Sequence, residues 1–291
     1  MGLPAALETT LVESMGKVLE VVPIGGGDIS QAARVRSADG VEVLVTWRSG
    51  PPTGLFTAER RGLDLLRSPG ALRVPQVFDQ REAAGPCPAY IVMEWLGQSS
   101  TTPQVAEALG RGLAAMHRTT AETYGLDHDN FIGANPQSNR QTTNWVTFFG
   151  EQRLGFQMEL AAKNGYLPRQ RAERLEKLLA RLDQWLPTSP PASLLHGDLW
   201  GGNWLTTASG DPALIDPAVY YGDRETDLAF TELFGGFSSA FYAAYNDSWP
   251  LDPGYNERKD LYNLYHLLNH LNLFGHSYGG SVDRVLPRYG R

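Results

Sequence analysis

The chain has 291 residues, 42% hydrophobic and 20% charged, a composition that suits one large globular domain or two modest ones and excludes bulk disorder. Acidic residues outnumber basic ones, 32 to 25, for a net charge of −7, which argues against a free-standing nucleic-acid binder. The single cysteine, Cys87, excludes an internal disulfide framework and a multi-cysteine zinc site.

No stretch approaches the roughly 18 consecutive apolar residues of a membrane span. The N-terminal segment has no basic region leading into an apolar core. The expectation is a cytoplasmic monomer with neither nucleic acid nor membrane as partner. Of the 25 basic residues only Lys17, Lys163, Lys177 and Lys259 are lysine.

Short β-rich runs fill the chain up to residue 96. A strand-like run at 18–22 leads into Gly25, Gly26, Gly27, Asp28, Ile29 and Ser30. Residues 31–36 and 41–47 flank Asp39-Gly40, a hairpin signal. Helical spacing marks 55–67, and 74–78 and 90–95 are further strand candidates. Beyond Gly97 the texture turns helical. Thr102-Pro103 reads as an N-cap with proline at the first helical position, followed by Val105, Leu109, Leu113 and Met116 on one face. Helices are expected over 144–163, 168–186, 237–245 and 255–274. The predicted fold is α+β in two lobes: a small β-rich lobe at 1–96 and a larger, mainly helical lobe at 97–291.

The glycine cluster sits between two strands rather than before a helix. Adjacent glycines let backbone amides approach a phosphate without a β-carbon in the way. A tight turn is the competing reading. Gly25, Gly26, Gly27 and Ser30 are the candidate nucleotide-loop residues.

The densest chemistry follows residue 194. Leu195-His196-Gly197-Asp198-Leu199 is followed by Asn203, and Leu214-Ile215 leads into Asp216. Phosphoryl-transfer enzymes of the kinase class use this order, H-x-D-L-x-x-x-N and then a second Asp. One carboxylate, Asp198, faces the attacking hydroxyl and takes its proton. Asn203 and Asp216 offer hard oxygen donors for Mg²⁺, which keeps several of its waters and needs few protein ligands. His196 is read as a hydrogen-bonding brace of the loop.

At this point the sequence resembles the fructosamine kinase (ketosamine 3-kinase) family. The resemblance rests on HGDLWGGNW at 196–204, on YGDRETDLAF at 221–230 and on the phrases at 250–275, with weaker matches through the first half. That family is similar to the aminoglycoside phosphotransferases and shares the protein-kinase-like fold. The resemblance implies an ATP- and Mg²⁺-dependent transfer to the 3-hydroxyl of a ketosamine, either a small molecule or a glycated protein amine. The phosphorylated product then decomposes and frees the amine, which makes the reaction deglycation repair. Asp198 is then the base, Asn203 and Asp216 the metal ligands, and Glu94-Trp95-Leu96 the connector whose backbone meets adenine. Trp200 is placed to stack on a sugar. Asp223 and Glu225 would give a cationic amine acidic surroundings, and His270 would line the substrate cleft. His266 and His270 have metal-pair spacing, but polar lining or buried hydrogen bonding is preferred. Asp227 is read as a cap or brace of the catalytic loop, and Arg224 as half of an ion pair. Tyr262, Leu267, Leu268, Leu271 and Phe274 are read as core.

One position departs from the family pattern. The fold places a lysine on its third strand, paired with a helix glutamate, for which Glu59 is well placed. The strand here reads Val45-Thr46-Trp47-Arg48, with Thr46 where the lysine belongs. Arg48 lies on the same strand face about 7 Å further along, and Arg34 and Arg36 are other candidates. An active kinase with an arginine substitute, a slow kinase and a nucleotide-binding pseudokinase all fit this. A kinase acting on another small molecule, such as an aminoglycoside or amino alcohol, is the alternative enzyme.

Overall fold

The structure is a computed structural model that describes residues 2–25 and 30–289. Helix α1 (Ala5–Met15) precedes strands β1 (Val18–Ile24), β2 (Gln31–Ser37) and β3 (Glu42–Arg48). Helix α2 (Leu55–Arg67) then leads to β4 (Val77–Arg81) and β5 (Ala89–Glu94). The five strands form one antiparallel sheet in the order β1-β2-β3-β5-β4.

Strand alternation decides which side chains meet the site. Val43, Val45 and Trp47 face one way with Ala33, Val35, Tyr90 and Val92, and Leu7 and Leu11 of α1 cover them. Thr46 is paired with Ile91 and Ala32 and lies on the opposite face. Ala89, Ile91 and Met93 there join Phe56, Leu63 and Leu66 of α2 in a second, larger cluster. Leu44, Thr46 and Arg48 therefore share the face of the sheet that turns toward α2.

Beyond residue 97 come α3 (Pro103–His117), β6 (Thr120–Ala121), the hairpin β7 (Asn130–Ile132) and β8 (Asn135–Gln137), and α4 (Trp145–Phe148). A π-helical stretch (Phe149–Gly155) runs into α5 (Phe156–Lys163), followed by α6 (Arg169–Leu179). Then follow β9 (Ala192–Leu195), β10 (Trp204–Thr206), β11 (Pro212–Leu214) and β12 (Tyr220–Gly222). The chain closes with α7 (Glu225–Leu233), α8 (Ser239–Ser248), α9 (Tyr255–Phe274) and α10 (Gly279–Tyr289). β9 lies between β12 and β6 in a small sheet, and β10 and β11 form a hairpin.

The expected α+β two-lobed architecture is the one observed. The Thr102 cap signal holds, its side chain accepting the N–H of Val105, and Asn144 caps α4 by accepting that of Thr147 at 2.9 Å. Several elements differ from expectation. The strand expected at 74–78 starts at Val77, the helix expected over 144–163 is interrupted by the π turn, and α1 and α10 were not anticipated. The larger hydrophobic cluster is continuous, running from α2 and β5 through α3 to α9 and α10.

Candidate active site

β9 ends where the chemistry begins. The backbone N–H groups of His196 and Gly197 donate to the two carboxylate oxygens of Asp227, at 2.7 and 2.9 Å. His196 is fully buried and bonds the carbonyl of Ile215 through Nε2 at 2.9 Å, while the N–H of Asp198 donates to Nδ1. Those two bonds fix one neutral tautomer. Burial holds the imidazole below its ordinary pKa. His196 thus braces the loop, as its motif position suggested. Asp227 does the same from α7, and His117 reaches it through Nε2 at 3.2 Å.

Gly197 allows the sharp turn. Its φ is +80°, and a β-carbon there would lie 2.0 Å from the carbonyl oxygen of Ala218. No other residue fits that approach.

Asn203 ties the three chemical residues together. Its Nδ2 donates to the carbonyl of Asp198 at 2.8 Å, to Asp198 Oδ2 at 3.0 Å and to the carbonyl of Asp216 at 3.4 Å. With Nδ2 so committed, the amide oxygen is left to face a cation. Asp216 adopts φ +52°, alone among the described non-glycine residues in having a positive φ. Strain of this kind clusters at functional sites. The Asp198 carboxyl is pushed well above its usual range, first by burial and then by Asp216 and Asp227, against the opposing bond from Asn203. Desolvation raises Asp216, which is open to the cleft, in the same direction. Glu59 is raised to about 8, by burial and then by Asp216. None of the three has an ion pair among the described residues. Uncompensated carboxyls beside a free amide oxygen are a donor set that fits Mg²⁺.

Helix α2 meets this loop directly. A β-carbon on Gly62 would lie 3.3 Å from Pro217 and 3.4 Å from Val219. Glu59, one turn earlier on the same helix face, therefore lies toward Asp216.

The connector is pinned to the second lobe. The carbonyl of Leu96 accepts the N–H of Ala208 at 3.0 Å, and the N–H of Ser99 donates to Thr206 at 2.9 Å. The side chain of Glu94 pairs with Arg73. At Glu94 and Leu96, recognition of a base would thus fall to backbone groups. Gly25 and Ser30 frame the glycine cluster, while Gly26 and Gly27 lie outside the described residues.

On the acceptor side, Trp200 is 39% exposed. Its ring lies over Gly202, where a β-carbon would come within 2.3 Å of it, and Gly201 packs against the Gly235-Gly236 turn. His270 is half-buried, and its Nδ1–H donates to the carbonyl of His266 at 2.8 Å, which leaves Nε2 as an acceptor. Its ring is flanked by Phe234 at 5.0 Å, Tyr278 at 5.0 Å and Phe274 at 5.5 Å between centroids. Phe274 was read as core, yet Phe274 and Phe234 are both exposed. Sequence reasoning did not single out this aromatic group, although Phe274 and Tyr278 follow His270 at helical intervals.

The structure assigns Asp223 and Glu225 differently from the sequence reading. Both are buried. Asp223 accepts from Tyr262 Oη at 2.6 Å and from the N–H of Glu225, and Arg258 clasps Glu225 at 2.7 and 2.8 Å. Their charges are used to fasten α7 to α9, which takes them away from any substrate amine. Arg224 likewise finds carbonyl partners, Trp249 at 3.0 Å and Pro250 at 2.5 Å, and lies over the Trp249 ring. His266 stacks flat on Phe230 at 3.6 Å, a packed ring rather than a metal ligand.

The fructosamine kinase profile matches residues 5–289. The chain belongs to the fructosamine kinase family. A "Probable ketoamine kinase" of Lactiplantibacillus plantarum is 39% identical over 275 residues, 94% of this chain and 95% of that one. A chloroplastic protein-ribulosamine 3-kinase of Arabidopsis thaliana is 36% identical over 283 residues, 94% of this chain and 84% of its own. A crystal structure from Thermobifida fusca bearing the fructosamine-3-kinase name superposes with a TM-score of 0.87 at 33% identity, covering 99% of both chains. An aminoglycoside phosphotransferase in ternary complex with AMP-PNP and hygromycin B shares the fold, with a TM-score of 0.66 at 18% identity over 98% of this chain and 99% of that one. Membership in the fructosamine kinase family makes the protein a phosphotransferase with an alcohol group as acceptor. No helix among the described residues is long and apolar enough to cross a membrane.

Proposed function

We propose that the protein transfers the γ-phosphate of ATP to the 3-hydroxyl of a ketosamine. The observation that carries this reading is the braced set Asp198, Asn203 and Asp216, intact in a chain that matches the fructosamine kinase family over nearly its whole length. Asp198 accepts the hydroxyl proton as the sugar oxygen attacks phosphorus and ADP leaves. Its raised affinity for a proton suits that role. Asn203 and Asp216 would hold Mg²⁺, which when bound neutralises charge on the triphosphate. Trp200, with His270 and the aromatic rings around it, would form the wall against which the sugar lies.

The relatives support fructosamine and ribulosamine as acceptors, free or on protein. Release of the amine from the phosphorylated product would make the reaction deglycation repair. We treat residues 1–96 as the nucleotide lobe and 97–291 as the catalytic and substrate lobe. On the sequence reading we place the enzyme in the cytoplasm as a monomer, with no nucleic-acid or membrane partner.

The deciding experiment incubates the protein with Mg·ATP and a panel of fructosamines, ribulosamines, aminoglycosides and amino alcohols. Phosphate transfer to a ketosamine is expected. Transfer only to an unrelated alcohol would replace the substrate and keep the fold. ATP binding with no transfer to any acceptor would favour the pseudokinase reading, which Thr46 alone recommends.

A further inference from the structure

Thr46 leaves the triphosphate without the cation that phosphoryl transfer requires on this strand. The sheet carries four arginines that could supply that charge, Arg34, Arg36, Arg48 and Arg81. Arg34 is held by Glu42 at 2.8 Å and Glu20 at 3.0 Å, Arg36 by Glu20 at 3.2 Å, and Arg81 by Asp79 at 3.3 Å. Lys17 precedes β1, and the other three lysines lie in the helical lobe.

Arg48 is different. Its guanidinium has no hydrogen bond or ion pair among the described residues, and Nη1 is sealed from solvent without an acceptor. A buried charged donor left unsatisfied is costly, and its persistence calls for a ligand that completes it. Its position fits one ligand. Alternation puts Arg48 on the face of Thr46, and the register Thr46–Ala32, Trp47–Gln31 carries it one step further toward Ser30. Arg48 therefore stands at the glycine-cluster end of the sheet, about 7 Å beyond the lysine position.

We propose that Arg48 is the triphosphate-binding cation of this protein, its planar fork gripping the phosphate oxygens from the glycine-loop end of β3 in place of a lysine at 46. Glu59 then has no strand cation to pair with, which agrees with its lack of an ion pair among the described residues. The inference rests on the kinase reading for the nucleotide alone and is independent of the acceptor.

The test measures binding of ATP, ADP and adenosine by titration calorimetry, without acceptor, in wild type and in Arg48→Gln, Arg48→Lys and Thr46→Lys/Arg48→Gln. Arg48→Gln should weaken ATP by about ten- to a hundredfold and leave adenosine unchanged. Arg48→Lys should recover part of the loss, and lysine at 46 should restore ATP in the Gln background. Equal losses for ATP and adenosine would assign Arg48 a structural role. Unchanged ATP affinity would remove it from the site. If Arg48→Gln does not fold, Arg48→Lys decides: unaltered ATP affinity together with unaltered phosphate discrimination would overturn the fork-specific contact. A ketosamine panel without product, alongside Arg48-dependent ATP binding, would sink the acceptor assignment and leave this one standing.

Discussion

The Asp227 carboxylate accepts the backbone N–H of His196 at 2.7 Å, so the catalytic loop hangs from a side chain on a helix 31 residues away. The second oxygen holds Gly197. Asp227→Ala would strand two buried donors and leave His117 Nε2 without its partner, Nδ1 keeping Tyr245 Oη. Loss of roughly 3–5 kcal/mol of stability is expected, with kcat falling further than KM rises. Thermal unfolding and initial rates check this. Asp227→Asn keeps only one acceptor and aims an amide N–H at a donor, so it should fall between the two. A variant as stable and active as wild type would dissolve the bracing role.

Asp198 should behave as a base and not as a nucleotide anchor. Asp198→Asn preserves the shape of the side chain and removes its capacity to take a proton. Turnover should fall by about 10²- to 10⁴-fold, while ATP affinity measured by calorimetry stays within a factor of two or so. A matching collapse in ATP binding would mean that the variant disturbs the Asn203 amide rather than proton transfer.

On the proposed reading Trp200 meets the acceptor and not the nucleotide. Its ring is exposed over Gly202 and belongs to neither core cluster. Trp200→Ala should raise KM for the ketosamine by about tenfold, in line with one aromatic stacking contact, with KM for ATP unchanged. Trp200→Phe should recover much of the loss. Equal increases in both KM values would indicate that the loop itself has moved.

His266 gives the protein an acid-sensitive stability. Burial holds its pKa well below the ordinary value, so the folded ring stays neutral. The unfolded chain binds that proton below a pH of about 6.5. The His266 contribution is therefore complete above that pH and is lost as pH falls, at roughly 1 kcal/mol per pH unit. His196 shifts the same way and adds to the slope. His266→Phe keeps a ring against Phe230 and removes the titration. Its melting temperature should fall less between pH 7 and pH 5 than that of wild type. Parallel profiles would rule out His266 as a source of the slope.

Local signals in the sequence were reliable where one element decides its own form. α2 and α9 run over the spans that periodicity predicted, and Thr102 caps as expected. The proposed trio of Asp198, Asn203 and Asp216 stood out because its order in the chain is its order in the loop, and the structure brings the three together. The π turn was not, because it depends on a close approach: a β-carbon on Gly155 would lie 2.9 Å from the carbonyl of Gly150. That five-residue glycine spacing is a faint mark beside the helical periodicity around it. Asp223 and Glu225 misled for a different reason. Their partners, Tyr262 and Arg258, are more than 30 residues away, and a carboxylate in a motif reads the same whether it faces a cleft or an arginine. Arg48 was legible as a candidate, but its unpartnered Nη1 and the engagement of Arg34 and Arg36 with carboxylates, which single it out, are visible only in the structure.

The continuity of the larger hydrophobic cluster limits how the cleft can work. Phe56, Leu63 and Leu66 from α2 share it with Leu109, Leu113 and Met116 from α3, and Leu72 presses on Gly112, where a β-carbon would lie 2.3 Å away. The two lobes are therefore welded along their back edge. A wide gape would tear apolar contacts out of that seam, so any opening between the lobes is confined to small sliding of packed elements. The same seam makes the halves thermodynamically inseparable, because neither could be cut free without exposing the face that the other covers.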